Sequence, residues 1–177
     1  MEFVDEIIET GGPILGSEHM ETLRVCMQCG KCTGGCPSGR LTAIRTRKMI
    51  LSALLNMRDE VLSSDELWLC TTCYTCYERC PRNVKVTDIT RTIRNIAGRE
   101  GYLAKSHRMA ASYVIKTGHG VPINDAVKES RKKLGLSEIP PTTHAYKDAL
   151  KGIQTLAKKT KFDELIDFDW ETMNLKE

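Results

Sequence analysis

All eight cysteines of the chain fall in two copies of one pattern. Cys26, Cys29, Cys32 and Cys36-Pro37 make the first C-x2-C-x2-C-x3-C-P run, and Cys70, Cys73, Cys76 and Cys80-Pro81 make the second. A [4Fe–4S] cube takes one thiolate per iron, and this repeated run is the ligand pattern of chains that hold two such clusters. Three thiolates come from one short loop, because two-residue spacers let the backbone wrap a corner of the cube. The fourth has to come from the far side, and in two-cluster chains the last cysteine of each run ligates the other cluster. The expected ligand sets are therefore Cys26, Cys29, Cys32 and Cys80 for cluster 1, and Cys70, Cys73, Cys76 and Cys36 for cluster 2. Pro37 and Pro81 lack an N–H and fix φ, so each redirects the chain just after its ligand. Gly30, Gly34 and Gly35 let backbone approach sulfur closely. The chemistry this permits is one-electron transfer.

Other uses of cysteine fit less well. Disulfide frameworks belong to secreted chains, and no secretory n-region and h-region opens this sequence. Structural zinc pairs two C-x2-C knuckles and has no use for the x3-C-P ending. A redox-active thiol pair needs one exposed C-x-x-C, not eight cysteines in a repeat.

The elements that must position these ligands read as helices. Phe3, Val4, Ile7 and Ile8 share one face of an acidic N-terminal helix, which Gly11-Gly12-Pro13 is expected to stop. Between the runs, Leu41, Ile44, Leu51, Leu54 and Leu55 recur at helical spacing. Ser63 and Glu66 have capping-box spacing and would open a helix into Trp68, Leu69 and Cys70. Trp68 reads as shielding for a cluster. After Pro81, Ile89, Ile93 and Ile96 mark a helix with Thr87 as its cap and Gly98 or Gly101 as its end. A further helix runs from about Leu103 to Lys116, closed by Gly118. The linker shows no alternating β-branched pattern, so the strand-rich ferredoxin architecture is disfavoured. The fold class expected is all-α: a helical ferredoxin domain wrapped around two [4Fe–4S] clusters, with a C-terminal extension of helices and extended segments. The domain boundaries read as 1–20 for an N-terminal arm, 21–118 for the cluster domain and 119–177 for the extension.

In that extension Asn124 can cap a short helix to Leu134, with Gly135 at its C′ position. Glu138 to Thr143 contains Pro140-Pro141 and cannot be helical. Tyr146, Leu150, Ile153 and Leu156 mark another amphipathic helix. The last stretch is acidic, with Phe162, Leu165, Ile166, Phe168 and Trp170 interleaved. It reads as a segment docking on a partner, the alternative being a disordered or self-packed tail.

The formal charge is +3. Two oxidised clusters with their thiolates add about −4, which brings the holo chain to about −1. The basic excess is thus largely compensation for the cofactors. It concentrates after the second run, where Arg82, Lys85, Arg91, Arg94, Arg99, Lys105 and Arg108 face only Asp88 and Glu100. Positive charge near a cluster stabilises its reduced form. No nucleic-acid motif accompanies these charges, so no nucleic-acid partner is expected. The longest apolar stretch, Met49 to Met57, is far too short to span a membrane. A cytoplasmic location is expected. No Gly-x-Gly-x-x-Gly loop or P-loop is present. His19, His107, His119 and His144 have no ligand spacing, and no residue set reads as catalytic.

The first run reads Cys26-Met-Gln-Cys-Gly-Lys-Cys-Thr-Gly-Gly-Cys-Pro37, and the second Trp68-Leu-Cys-Thr-Thr-Cys-Tyr-Thr-Cys-Tyr-Glu-Arg-Cys-Pro81. With the helical linker and the Leu134-Gly-Leu…Pro140-Pro-Thr segment, the chain resembles the C subunits of heterodisulfide reductases from methanogenic archaea. The resemblance runs from about Cys26 to Thr142. The cysteine framework is common to helical ferredoxin domains; the Met-Gln, Thr-Gly-Gly and Pro-Pro-Thr details favour this family. The resemblance implies an electron relay from a flavin-bearing, bifurcating A subunit to a B subunit that reduces the coenzyme M–coenzyme B heterodisulfide. Electrons would originate from an associated hydrogenase or formate dehydrogenase. The Cys-Cys-Gly motifs of the B subunit are absent here, which implies a separate polypeptide. All eight cysteines carry over as ligands, and no catalytic residue does. The alternative is an iron–sulfur subunit of another oxidoreductase, fumarate reductase-like or sulfur-compound-oxidising.

Overall fold

A computed structural model describes residues 1–40, 46–143 and 145–176. Leu41 and Ile44 of the expected linker helix lie outside the described residues, as does His144. The chain divides into two compact units, Met1–Tyr102 and Leu103–Glu177. This division differs from the boundaries expected at 20/21 and 118/119. The N-terminal arm belongs to the first unit because its apolar face has no other core to enter: Phe3, Val4, Ile7 and Ile8 are all buried there. The helix after Leu103 packs with the C-terminal elements, where its Ile115 is buried.

The described elements are almost all helical. In the first unit they are α1 (Phe3–Leu15), α2 (Ser17–Glu21), α3 (Lys31–Gly34), α4 (Thr46–Leu54), α5 (Arg58–Leu62), α6 (Thr75–Glu78) and α7 (Val86–Arg99). Short 3-10 turns at Thr22–Val25, Pro37–Arg40 and Asp65–Leu69 join them. The apolar core takes Phe3 and Ile7 from α1, Met20 from α2, Ile50 from α4, Leu62 from α5, and Ile89 and Ile93 from α7. Spacing of three and four residues puts Ile89, Ile93, Ile96 and Ala97 on one stripe of α7, and that stripe is buried.

Four expectations about element ends and faces are corrected. First, α1 does not stop at Gly11 but runs through Pro13 to Leu15, ending at Gly16 with φ +96°. Gly11 and Gly12 are packing residues: a Cβ on Gly11 would lie 2.7 Å from Met20 Cε and 2.9 Å from Thr92 Oγ1. Pro13 sits in the last turn, so it deletes one hydrogen bond without breaking the helix. Second, Ser63 and Glu66 form no capping box. The Ser63 hydroxyl donates back to the Asp59 carbonyl, and the segment that follows is a 3-10 turn with no side-chain cap. Third, Thr87 is inside α7 and fully buried, not its cap. Fourth, α4 buries Met49, Ile50 and Ala53, while Leu51 and Leu55 are exposed. Leu54 packs on the core as expected. The predicted end at Gly101 is present, with φ +85°.

An ion-pair network pins α1 to this frame. Arg58 donates from Nε and Nη2 to the Glu6 carboxylate at 2.7 and 2.9 Å, and from Nη2 to Glu100 at 2.8 Å. The Arg58 guanidinium holds the Glu6 carboxyl below its ordinary range.

The second unit holds α8 (Lys105–Thr117), α9 (Asp125–Lys133), α10 (Lys147–Lys159) and α11 (Phe162–Leu165). Gly118 closes α8 at φ +72°. Asn124 caps α9 by accepting from the Val127 N–H at 3.0 Å, and Gly135 follows it at φ +69°. Both expectations are met. The Pro-Pro segment is non-helical and bends rather than running straight, with the Thr142 N–H donating to the Pro140 carbonyl. The acidic end packs on its own unit. Strands β1 (Phe168–Asp169) and β2 (Asn174–Leu175) pair antiparallel, Phe168 opposite Leu175, and Ile166 and Phe168 are buried with Ile115 and Ala157. Phe162 and Leu165 remain partly exposed.

Candidate metal centre

The two cysteine runs fold alike. A 3-10 turn leads into each: Thr22–Val25 before Cys26, and Asp65–Leu69 before Cys70. Within each loop two residues take positive φ, Gln28 (57°) and Gly30 (80°) in the first, Thr72 (51°) and Tyr74 (61°) in the second. These residues flank Cys29 and Cys73, so the backbone reverses around the middle ligand. A one-turn helix then carries the third cysteine, α3 for Cys32 and α6 for Cys76, and the fourth cysteine follows. Left-handed φ suits Gly30. It is strained for Tyr74 and for β-branched Thr72.

Two cavities open among these loops. One is lined by Cys26, Cys29, Cys32 and Cys80, with Ile50, Val84 and Val86 behind them. The other is lined by Cys36, Cys70, Cys73 and Cys76, with Met49, Leu67, Thr87 and Thr90. Each thus gathers three cysteines of one run and the last of the other. Hydrogen bonds tie the exit of each run to the entry of its partner. Ser38, two residues past Cys36, donates to the Leu69 carbonyl at 2.7 Å, next to Cys70. The Lys85 N–H donates to Thr22 Oγ1 at 3.1 Å, in the turn before Cys26.

The donor set suits iron–sulfur ligation. Several groups meet cysteine sulfur: the Val84 N–H donates to Cys80 (3.2 Å) and Gln28 Nε2 to Cys26 (3.4 Å), Thr87 Oγ1 lies 3.3 Å from Cys76 Sγ, and the Cys73 thiol donates to Thr75 Oγ1 (3.4 Å), from which a thiolate there would accept. Such bonds stabilise thiolate and tune a cluster. Burial pushes the Cys32 and Cys76 thiols up, whereas the Thr75 hydroxyl holds the exposed Cys73 thiol down. Buried thiols ionise as ligands because the metal's positive charge compensates them. Among the described residues no three His, Cys, Asp or Glu side chains converge on a point fit for a single metal ion. A cube, in contrast, spaces its thiolates around a volume. Cys29 and Cys73 are exposed and the other six are half-buried. Cys26, Cys76 and Cys80 pack against the apolar core.

Helix α7 supplies residues that the sequence alone does not assign to the site. One stripe of α7 enters the core; the stripe holding Thr87, Thr90, Arg91 and Arg94 faces the second run. Asp88, buried, meets His19 Nε2 at 2.8 Å and receives the Tyr74 hydroxyl at 3.1 Å. Arg91 donates to the same hydroxyl at 3.1 Å. This network holds the strained Tyr74. Arg94 Nε and Nη2 donate to the Leu67 and Cys70 carbonyls at 2.9 and 2.7 Å, with the guanidinium 5.7 Å from the Trp68 ring centre. Trp68 itself is half-buried against the core. Aligning the two runs residue by residue would have flagged Tyr74, because it stands where the first run has Gly30.

Fold and site together define a helical protein with a 4Fe–4S dicluster domain; the family model of that description matches residues 22–84. Among curated relatives, the iron–sulfur C subunit of the CoB–CoM heterodisulfide reductase of Methanopyrus kandleri is 53% identical over 98% of this chain and 91% of its own length. The C2 subunit of the H2/formate:CoB–CoM heterodisulfide, ferredoxin reductase of Methanococcus maripaludis is 57% identical, covering 99% of this chain and 95% of its own length. The C subunit of the ferredoxin/F420H2-dependent CoB–CoM heterodisulfide reductase of Methanosarcina acetivorans is 48% identical over 86% of this chain and 94% of its own length. The chain belongs to the family of heterodisulfide reductase C subunits. Among the described residues no helix is long and apolar enough to cross a membrane.

Proposed function

We propose that this chain is the electron-relay component of a cytoplasmic heterodisulfide reductase complex and has no active site of its own. It holds two [4Fe–4S] clusters, one on Cys26, Cys29, Cys32 and Cys80, the other on Cys70, Cys73, Cys76 and Cys36. The observation that carries this reading is the pair of cavities, each lined by one of those sets of four cysteines. Bound clusters supply one-electron steps; reduction of a disulfide takes two. The protein's part is to keep the two centres close, to exclude water from their inner faces and to leave one edge of each reachable. Cys29 and Cys73 are those edges. The residue before each run, Val25 and Leu69, is an exposed apolar side chain suited to contact with a partner. Electrons would come from a flavin-bearing A subunit, fed by a hydrogenase or formate dehydrogenase, and leave to the catalytic B subunit that reduces the coenzyme M–coenzyme B heterodisulfide. The names of the relatives support this assignment.

The test is native purification without oxygen, with iron and sulfide analysis and mass spectrometry of what remains bound. Recovery with a flavoprotein and a Cys-Cys-Gly protein, and iron for two cubes per chain, is expected. Recovery with a different catalytic partner would remove the substrate and leave the clusters.

A further inference from the structure

Arg94 is a cation without an anion. It is half-buried on α7, and among the described residues no carboxylate pairs with it. Its partners are two backbone carbonyls, of Leu67 and Cys70, and the face of Trp68. Neighbouring charges are answered locally: Asp88 has His19, Arg91 and the Tyr74 hydroxyl, and Arg58 has Glu6 and Glu100. An arginine stays protonated at any physiological pH. Withdrawing its charge from water is unfavourable unless a negative group lies near. The group near it is Cys70, the first cysteine of the second run, whose carbonyl Arg94 holds at 2.7 Å.

We propose that Arg94 is the built-in counter-charge of the cluster held by Cys70, Cys73, Cys76 and Cys36, and that it raises that cluster's reduction potential selectively. The proposal rests on the two-cluster reading above. Reduction adds one electron, hence one unit of negative charge, and makes or breaks no bond. The electron arrives from the upstream flavoprotein and leaves to the disulfide-reducing partner. A fixed positive charge beside the thiolates favours the more negative, reduced form. Partial burial keeps this attraction from being screened as a surface charge would be. Among the described residues the first run has no equivalent. The cations lining its cavity, Lys31, Arg47 and Arg82, are all exposed.

The experiment is a redox titration of the holo chain followed by electron paramagnetic resonance. The signal altered by Cys73→Ser identifies the second-run cluster, whichever way the fourth ligands are shared. In Arg94→Gln that signal should titrate at more negative potential, by about tenfold in the one-electron equilibrium, ~59 mV. The other signal should hold its potential. Arg94→Lys, which keeps the charge and gives up the double carbonyl clamp, should return the potential to near the wild-type value. Should Arg94→Gln lose the second-run cluster altogether, Arg94→Lys restoring it supports the role of charge. An unchanged second-run signal, an equal shift of both signals, or Arg94→Lys behaving like Arg94→Gln overturns the proposal; the last assigns Arg94 to the clamp alone. Wild-type protein lacking two clusters would instead sink the reading on which it rests.

Discussion

The two cysteine loops are one backbone design built with different side chains. At the residue after the second cysteine the first loop has Gly30 at φ +80° and the second has Tyr74 at φ +61°. Glycine takes that conformation freely, whereas a tyrosine there costs about 1–2 kcal/mol. The second loop offsets the cost with contacts the first lacks: the Tyr74 hydroxyl to Asp88 and Arg91, and the Tyr74 ring 5.7 Å from Tyr77, edge-on. Sulfur is served differently as well. Cys80 in the first cavity receives a backbone N–H, which no substitution short of proline removes. In the second cavity Cys76 and Cys73 face hydroxyls of Thr87 and Thr75. The first cavity thus has a main-chain donor to Cys80 beside the Gln28 side chain at Cys26, whereas the sulfurs of the second meet side-chain hydroxyls. Two cubes with the same ligands can then differ in potential.

The largest effect that would break this comparison is loss of a whole centre. Cys36→Ser should damage the cluster of the second run and spare that of the first, and Cys80→Ser should do the reverse. Iron content with electron paramagnetic resonance decides it. Loss of the first-run signal alone in Cys36→Ser would mean that each run keeps its own fourth ligand. The next effect is conformational. Gly30→Ala forces a Cβ into left-handed φ and should cost about 1–2 kcal/mol in holo-protein stability, read by thermal melting under anaerobic conditions. The space itself is open, with Arg47 Cδ 3.7 Å from the added carbon, so backbone strain is the whole cost. A melt unchanged by Gly30→Ala would mean that the first loop does not need glycine. Tyr74→Phe keeps the strain and deletes the hydroxyl, and should cost about 1 kcal/mol. Replacing that Phe by Gly should recover part of the loss.

The grouping of the cysteines was legible in the sequence because cluster chemistry dictates both residue type and spacing, and each cavity is lined by three cysteines of one run and the last of the other. So was the all-helical class, because three- and four-residue periodicity survives in α1 and α7. Caps were legible where the side chain does the capping, as at Asn124, and where φ demands glycine, as at Gly118 and Gly135. The failures have a common physical origin. Gly11 and Gly12 looked like helix stops, yet they are there for close approach to Met20, Thr92 and Ser17. Thr87 looked like a cap, yet its hydroxyl faces sulfur. In each case a residue with a local meaning had a tertiary partner elsewhere in the chain, and sequence spacing does not reveal such partners. The interleaved apolar residues at the C-terminal end show the same limit. Ile166 and Phe168 could serve a partner or their own unit, and in the structure they fill their own.

The smallest effect separates main-chain from side-chain control most sharply. Thr87 is buried to 1% exposure, 3.3 Å from Cys76 Sγ. With Cys76 a ligated thiolate, the hydroxyl is the donor, and a hydrogen bond to ligand sulfur stabilises the reduced cluster. Thr87→Val preserves the branched shape on α7 and removes only that donor. The second-run signal should move to more negative potential by less than a tenfold change in its equilibrium, under ~59 mV. The first-run signal should stay, because Cys80 keeps its Val84 N–H. Gln28→Ala should lower the first-run potential by less still, since Nε2 lies 3.4 Å from Cys26 Sγ. If Thr87→Val moved both signals together, the two centres would be coupled too strongly for either loop to set its own potential, and the contrast between them would be one of stability alone.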